Sequence, residues 1–148
     1  MEKSANEKNK SFCYGSLREG FFNYDKYLAG KVVEKKDAIL ENMRLYHMPY
    51  KGYPAITPGN DKVLGEIMVI NEEEYDETVK DMDEMEGFIN ENNPENEYHK
   101  IVLEVKNLQT DENEKCFVYF YNKDKDKVFD SESVYIPNGD WKEYMLRK

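Results

Sequence analysis

Apolar and polar residues alternate along most of this chain with the two-residue period of β-strands. The pattern predicts strands at 11–14, 31–40, 43–48, 63–70, 98–107 and 115–121, and a short extended segment at 134–136. Residues 51–60 contain two prolines and two glycines and are predicted to form a loop. Short helical stretches are expected at 21–28 and 141–146. Strands interrupted by one strong helix indicate a mixed α/β (α+β) domain rather than a doubly wound sheet.

The strongest predicted helix begins after Asn71. This residue is a favourable N-cap, and Glu74 stands three residues later, where a capping box places its acidic partner. Gly87 is a typical C-terminal stop. One face of the helix carries an apolar stripe with spacings of three and four residues, formed by Tyr75, Val79 and Met82.

Glu86 occupies the next position of that stripe, where an apolar residue is expected. One interpretation is that the helix ends a residue early and Glu86 points to water, because carboxylates are rarely buried. The alternative is a carboxylate directed into a pocket. Burial, the helix C-terminus and acidic neighbours would then raise its pKa towards neutrality, as a proton shuttle requires.

A second feature is the segment from Phe12 to Arg18, in which a short apolar strand breaks at Gly15. Glycine permits backbone angles that other residues avoid and lets a ligand approach the main chain. Successive N–H groups in such a turn can form an anion site. The alternative is an ordinary exit from a strand into a turn.

Composition restricts the class of protein. The 148 residues fit one domain, predicted as 11–148 after a flexible segment at 1–10. The formal net charge of −10 argues against nucleic acid and anionic membrane surfaces as partners. There is no run of 18 apolar residues and no apolar core of a signal peptide. Cys13 and Cys116 lie in apolar strands, which suggests buried free thiols and a cytoplasmic location.

Familiar cofactor and nucleophile motifs are missing. His47 and His99 have no cysteine or histidine at ligand spacing, so no metal site is predicted. Ser16 lacks the glycines that flank a nucleophile elbow, although a Ser-His-Asp arrangement is not excluded. Gly15 belongs to no phosphate-binding fingerprint. An enzyme built on this sequence would use acid–base chemistry without a cofactor.

Several short motifs, taken in order along the chain, resemble those of a known protein family. In order, they are Tyr14–Arg18, Gly52–Ile56, Val63–Ile67, Asp83–Phe88, Tyr98, Val118–Tyr119 and Gly139–Trp141. Their order and spacing resemble the gamma-glutamylcyclotransferase-like superfamily, in particular its small members related to gamma-glutamylamine cyclotransferase. The resemblance covers nearly the whole chain from Phe12 on.

This resemblance implies a small mixed β-barrel flanked by a few helices, with a pocket at the barrel mouth. The turn of Tyr14, Gly15, Ser16 and Leu17 would hold a gamma-glutamyl group, and Glu86 would be the general acid/base. The implied reaction is attack of the substrate's α-amino nitrogen on its own γ-carbonyl carbon, which releases 5-oxoproline and a free amine or amino acid.

Further substrate contacts follow from the same resemblance. Tyr119 would offer a hydroxyl near the pocket, although a tyrosine at the core edge is an equally good interpretation. Arg18, Tyr53, Tyr98 and Lys100 are additional candidates. Relatives often carry arginine where this chain has Lys100, and the two side chains differ in hydrogen-bond geometry.

Two other classes of function stay open. One is a non-catalytic small-molecule-binding or regulatory domain on the same fold, because a fold does not determine its function. The other is an interaction protein that uses its acidic surface, although such a surface also serves solubility. An inward carboxylate at Glu86 favours the enzyme. We expect a monomer or weak homodimer; the sequence leaves the leaving amine and the pathway undetermined.

Overall fold

The computed structural model describes residues 9–147, which contain six strands and three α-helices. The strands are β1 (Lys10–Cys13), β2 (Val32–Met48), β3 (Tyr53–Ile70), β4 (Tyr98–Asn107), β5 (Asn113–Tyr121) and β6 (Val134–Tyr135). The helices are α1 (Tyr75–Met85), α2 (Phe129–Glu132) and α3 (Trp141–Leu146). Tyr24–Leu28 forms a π-helical turn, and Glu72–Glu74 and Lys123–Lys125 form 3₁₀ turns.

Five strands close into a mixed β-barrel. Neighbouring strands follow the order β3, β1, β5, β4, β2, and β2 pairs with β3 to complete the ring, while β6 adds to β2 outside it. The β1–β5 pair is parallel and the other pairs are antiparallel. The predicted fold class, a small mixed barrel flanked by a few helices, is therefore confirmed.

Two predictions for residues 31–60 were wrong. The strands predicted at 31–40 and 43–48 are one strand, β2, whose pairing shifts between Glu41 and Met43. Asn42 lies in the left-handed region at φ 65°, which accounts for the break in the pattern. Of the loop predicted at 51–60, residues 51 and 52 form a turn, but residues 53–60 are the first part of β3, where Pro54 pairs with His47 and Pro58 with Met43.

Strand alternation divides the buried side chains into two cores. Phe12, Ile67 and Val118 belong to a core formed by one face of the barrel strands. A second core contains residues from the opposite faces of the strands, among them Cys13 of β1 and Phe117 and Tyr119 of β5. These side chains pack with Val79 and Met82 of the apolar stripe of α1. Each fully buried large side chain contributes about 1.5–3 kcal/mol. The second core fixes α1 against the outer surface of β1, β4 and β5.

Capping groups define both ends of the segment that carries α1. The Asn71 side chain accepts a hydrogen bond from the Glu73 N–H at 2.9 Å, so the predicted N-cap is confirmed, but it caps the 3₁₀ turn before α1. At the other end Gly87 has φ +68°, and its N–H donates to the Glu84 carbonyl. The Phe88 N–H reaches the Asp83 carbonyl at 2.9 Å, which completes a Schellman motif.

The terminal predictions have mixed outcomes. Residues 1–8 of the predicted flexible segment lie outside the described residues. Asn9 and Lys10 belong to the folded domain: the Asn9 amide donates to the Ile70 carbonyl at 2.8 Å, and Lys10 begins β1. The predicted helical stretch at 141–146 is α3. Within residues 9–147 no helix is both long enough and apolar enough to cross a bilayer.

Candidate functional site

A cavity of about 240 Å³ lies where the end of β1, the start of β3 and the end of α1 meet β4 and β5. Eight of the ten predicted site residues line it: Tyr14, Gly15, Ser16, Leu17, Tyr53, Glu86, Tyr98 and Tyr119. The structure also places Ser11, Phe12, Cys13, Asn23, Pro54 and Met85 in its wall. The cavity therefore joins residues that are more than 100 positions apart in the chain.

Glu86 is the carboxylate of this cavity. It is half-buried at the end of α1, and the Schellman motif fixes its backbone. Its carbonyl accepts the Tyr98 N–H at 3.2 Å, which joins the helix end to β4. Among residues 9–147 no hydrogen-bond donor or cation is in contact with its side chain. α1 ends at Met85, one residue before Glu86, as the first interpretation expected, but Glu86 lines the cavity, as the alternative expected.

The surroundings of Glu86 favour its neutral form. Burial is the largest cause, and the negative charges of Glu97 and Asp83 act in the same direction. Together they raise its pKa from 4.5 to about 8. A carboxyl group with this pKa exchanges protons near neutral pH, so it can serve both as base and as acid.

Gly15 to Arg18 form a β-turn closed by the Arg18 N–H, which donates to the Gly15 carbonyl at 2.9 Å. In such a turn the N–H groups of the two central residues, Ser16 and Leu17, are not used by the turn itself. These N–H groups have no partner within residues 9–147, and both residues line the cavity. The turn thus offers hydrogen-bond donors to a carboxylate or an oxyanion.

Gly15 is required for a different reason than the sequence suggests. Its φ lies outside the left-handed region. The Pro54 ring packs so closely that a Cβ on Gly15 would lie 2.5 Å from its Cγ. The expected need for unusual backbone angles is therefore wrong, and close packing against β3 is the cause.

Asn23 is a site residue that the sequence analysis missed. It precedes the π-helical turn, and its amide donates to the Ser16 hydroxyl oxygen at 2.8 Å. With that oxygen accepting from Asn23, the Ser16 hydroxyl hydrogen is available to a ligand. No sequence motif joins these positions; only the fold brings them together.

Two tyrosines of the cavity are tied to backbone carbonyls. The Tyr14 hydroxyl donates to the Tyr119 carbonyl at 2.7 Å, and the Tyr98 hydroxyl to the Pro54 carbonyl at 2.5 Å. Burial, followed by nearby negative or ionisable groups, raises both pKa values well above the usual range. Both hydroxyls are therefore neutral and serve mainly to brace the wall.

The other two tyrosines donate to carboxylates. The Tyr119 hydroxyl reaches Asp83 Oδ1 at 2.5 Å, and the Tyr53 hydroxyl donates to Glu97 Oε2. Burial and these carboxylates raise the pKa of both phenols. Neither hydroxyl hydrogen is free, so each tyrosine can offer a ligand only its oxygen lone pair.

Arg18 and Lys100, both named as substrate contacts, do not line the cavity. The Arg18 guanidinium is buried and pairs with Glu66 at 3.5 Å and Asp140 at 3.2 Å. Lys100 Nζ contacts both oxygens of Asp83, at 2.9 and 3.0 Å. Each cation is paired with a carboxylate that does not line the cavity either, so the structure does not place these two predicted residues in the cavity wall.

Cys13 is the one thiol in the cavity wall. It is buried and free, as predicted, and so is Cys116. Burial raises the pKa of Cys13 to about 12, so the thiolate needed for nucleophilic chemistry is scarce at neutral pH. Glu86 is therefore the group of the wall best suited to proton transfer. Within residues 9–147 no cluster of His, Cys, Asp and Glu could hold a metal ion.

Comparisons with known proteins agree with this architecture. Residues 11–143 match a family model described as gamma-glutamyl cyclotransferase, AIG2-like. No curated protein matches the chain.

Several solved structures are similar. The uncharacterized protein PH0828 from Pyrococcus horikoshii is 22% identical over 93% of both chains, with a TM-score of 0.59. At5g39720.1 from Arabidopsis thaliana is 18% identical over 94% of this chain and 83% of its own, with a TM-score of 0.65. An AIG2-like protein from Mus musculus is 21% identical over 76% of both chains, with a TM-score of 0.56. At these identities the likeness shows the fold.

Proposed function

The chain belongs to the AIG2-like gamma-glutamyl cyclotransferase family, and from its cavity we propose that it cyclises gamma-glutamyl amides to 5-oxoproline with release of an amine or amino acid. The observation that carries the proposal is the position of Glu86 in the cavity wall. Glu86 lines the cavity with no contacting donor or cation among residues 9–147, and the same wall contains Ser16 and Leu17, whose N–H groups have no partner among those residues.

Substrate binding uses the polar groups of the turn. A gamma-glutamyl group carries an α-carboxylate, an α-ammonium group and a γ-amide. The turn N–H groups and the Ser16 hydroxyl can receive an anionic oxygen, while Glu86 attracts the ammonium group. These contacts would fold the glutamyl chain so that its nitrogen faces its γ-carbon. Such pre-orientation is a large part of catalysis in an intramolecular reaction.

Glu86 would then move the protons. The α-ammonium group first loses one proton to solvent water to give the free amine. As the nitrogen lone pair forms the new C–N bond, the Glu86 carboxylate accepts a second proton from that nitrogen. The γ-carbonyl oxygen gains negative charge in the tetrahedral intermediate, and N–H donors in the wall can stabilise it.

Collapse of the intermediate completes the reaction. The electrons on oxygen re-form the carbonyl, and the bond from the γ-carbon to the leaving nitrogen breaks. Glu86 gives its proton to that nitrogen and returns to the ionised form. The products are 5-oxoproline and the free amine, and the steps require no cofactor. The cytoplasmic location and the monomer or weak homodimer stay predictions.

The direct test is to incubate the protein with a panel of gamma-glutamyl dipeptides and gamma-glutamyl-lysine and to quantify 5-oxoproline by chromatography. We expect at least one substrate to be converted with multiple turnovers. If calorimetry detects binding of these compounds but no 5-oxoproline forms, the protein is instead a binding domain on the same fold.

A further inference from the structure

Two carboxylates are the negatively charged neighbours of Glu86, and each of them binds one tyrosine and one lysine. Asp83 lies in the last turn of α1, three residues before Glu86, which caps the end of that helix. Asp83 accepts the Tyr119 hydroxyl at 2.5 Å and binds Lys100 Nζ at 2.9 Å. The Lys100 ammonium also lies 5.3 Å from the Phe117 ring centroid, which holds it over the second core.

The second carboxylate is Glu97, which immediately precedes β4. It accepts the Tyr53 hydroxyl and binds Lys51 Nζ at 3.1 Å. Its backbone N–H donates to the Gly87 carbonyl at 2.9 Å, next to Glu86. On each side of Glu86, therefore, a lysine and a cavity-lining tyrosine share one carboxylate.

We propose that Lys100–Asp83–Tyr119 and Lys51–Glu97–Tyr53 are two positioning units that hold the cavity tyrosines in place and set the proton affinity of Glu86. The proposal deepens the proposed function, since it rests on Glu86 as the proton shuttle. The four lysine and carboxylate residues do not line the cavity and would act through Glu86 and the two tyrosines.

The charges around Glu86 support this role. Asp83 and Glu97 are its two negative neighbours, and both raise its pKa. The other titratable side chains that line the cavity have raised pKa values and are neutral: Cys13, Tyr14, Tyr53, Tyr98 and Tyr119. Each of these two carboxylates is paired with a lysine, Asp83 with Lys100 and Glu97 with Lys51.

The units predict opposite effects from their two charged members. Replacing Asp83 by Asn removes a negative charge and should lower the pKa of Glu86. Replacing Lys100 by Met leaves Asp83 without its cation and should raise it. Each lysine and carboxylate is more than one-fifth exposed, so solvent screens the effect. We expect each shift to be about 0.5–1 pH unit.

The experiment measures the pKa of Glu86 directly by ¹³C NMR titration of side-chain carboxyls, with the Glu86→Gln variant to assign the signal. The variants are Asp83→Asn, Lys100→Met, Glu97→Gln and Lys51→Met. Lys106→Met is the matched control, because Lys106 pairs with Asp111 on an exposed turn away from the cavity.

The expected result is a lower pKa in both carboxylate variants, a higher pKa in both lysine variants and no change in the control. A merely structural role would not produce opposite shifts within one pair. Unchanged pKa values, or shifts of the same sign in both members of a unit, would overturn the proposal. The titration does not depend on turnover. The expected pKa shifts can therefore be absent in a protein that releases 5-oxoproline, and they can be present in a protein that does not.

Discussion

The contact between Gly15 and Pro54 allows a sharp test of the donor turn. In Gly15→Ala the new Cβ would lie 2.5 Å from Cγ and 3.0 Å from Cδ of Pro54. Carbon atoms pack at about 3.5–4.0 Å, so the turn must move by roughly 1 Å. The Pro54 ring cannot rotate away, and its residue is paired with His47 in the barrel. We therefore expect the turn, rather than β3, to shift.

Two consequences follow for Gly15→Ala. Displacing the N–H groups of Ser16 and Leu17 by about 1 Å should reduce kcat/KM by up to about 100-fold. The forced contact should also lower the free energy of unfolding by about 1–3 kcal/mol. Both follow from steric overlap, because Gly15 does not have a left-handed φ.

The assay compares four proteins: wild type, Gly15→Ala, Pro54→Ala and the double variant. Rates of 5-oxoproline release and urea unfolding are measured for each. Pro54→Ala removes Cγ and Cδ, and the remaining Cβ lies 4.0 Å from the added methyl group, an ordinary contact. The double variant should therefore be more active and more stable than Gly15→Ala. If Pro54→Ala gives no relief, or Gly15→Ala behaves as wild type, the steric account is refuted.

Three further predictions concern the groups around the cavity. As a base Glu86 acts in its ionised form, so kcat/KM should rise with pH through its pKa of about 8. Glu86→Asp should stay about 100-fold impaired even where the aspartate is ionised, because the side chain is one methylene shorter and its carboxylate is misplaced. A flat pH profile would contradict the base role. Cys13→Ala should retain activity, and iodoacetamide at pH 7 should not inactivate the wild type, because burial raises the Cys13 pKa to about 12; inactivation that the alanine variant escapes would contradict this. Arg18→Met should lose about 3–5 kcal/mol in urea unfolding, because the buried Glu66 loses its cation, and Glu66→Gln should restore part of that loss; equal stability would contradict the buried ion pair.

The parts of the structure that depend on local pattern could be predicted from the sequence. The boundaries of β4 follow from strict alternation, and the end of α1 follows from Gly87, which has the left-handed φ of a C-terminal stop. Glu86 stood out because it interrupts an apolar stripe, and that signal correctly indicated an inward carboxylate.

The first part of β3 could not be predicted, because turn-forming residues are accepted there for a tertiary reason. Pro54 and Pro58 lie where β3 pairs with β2 alone, since β1 pairs only with residues 66–69. Proline is tolerated on such a free edge because no second neighbour needs its N–H. The alternation rule predicts strands, but it does not show which edges lack a partner.

The partners of the site were also beyond local pattern. Asn23, Asp83 and Glu97 lie in different elements, and their contacts with cavity residues appear only when the barrel closes. Arg18 belongs to the motif Tyr14–Arg18, and Lys100 stands where relatives often carry arginine, so the resemblance made both of them candidates for substrate contact. Their carboxylate partners lie in other elements, Asp83 on α1 for Lys100 and Asp140 next to α3 for Arg18, so local pattern did not reveal these pairs.

The central claim is that Glu86 transfers the protons of a cyclisation reaction. Its most direct test is side-by-side measurement of 5-oxoproline release by wild type and Glu86→Gln on the best gamma-glutamyl substrate, with folding checked by circular dichroism. Glutamine keeps the shape of the side chain but cannot exchange a proton, so we expect a normal fold and a rate lower by about 10²–10⁴-fold. A correctly folded Glu86→Gln protein that releases 5-oxoproline at the wild-type rate would contradict the account.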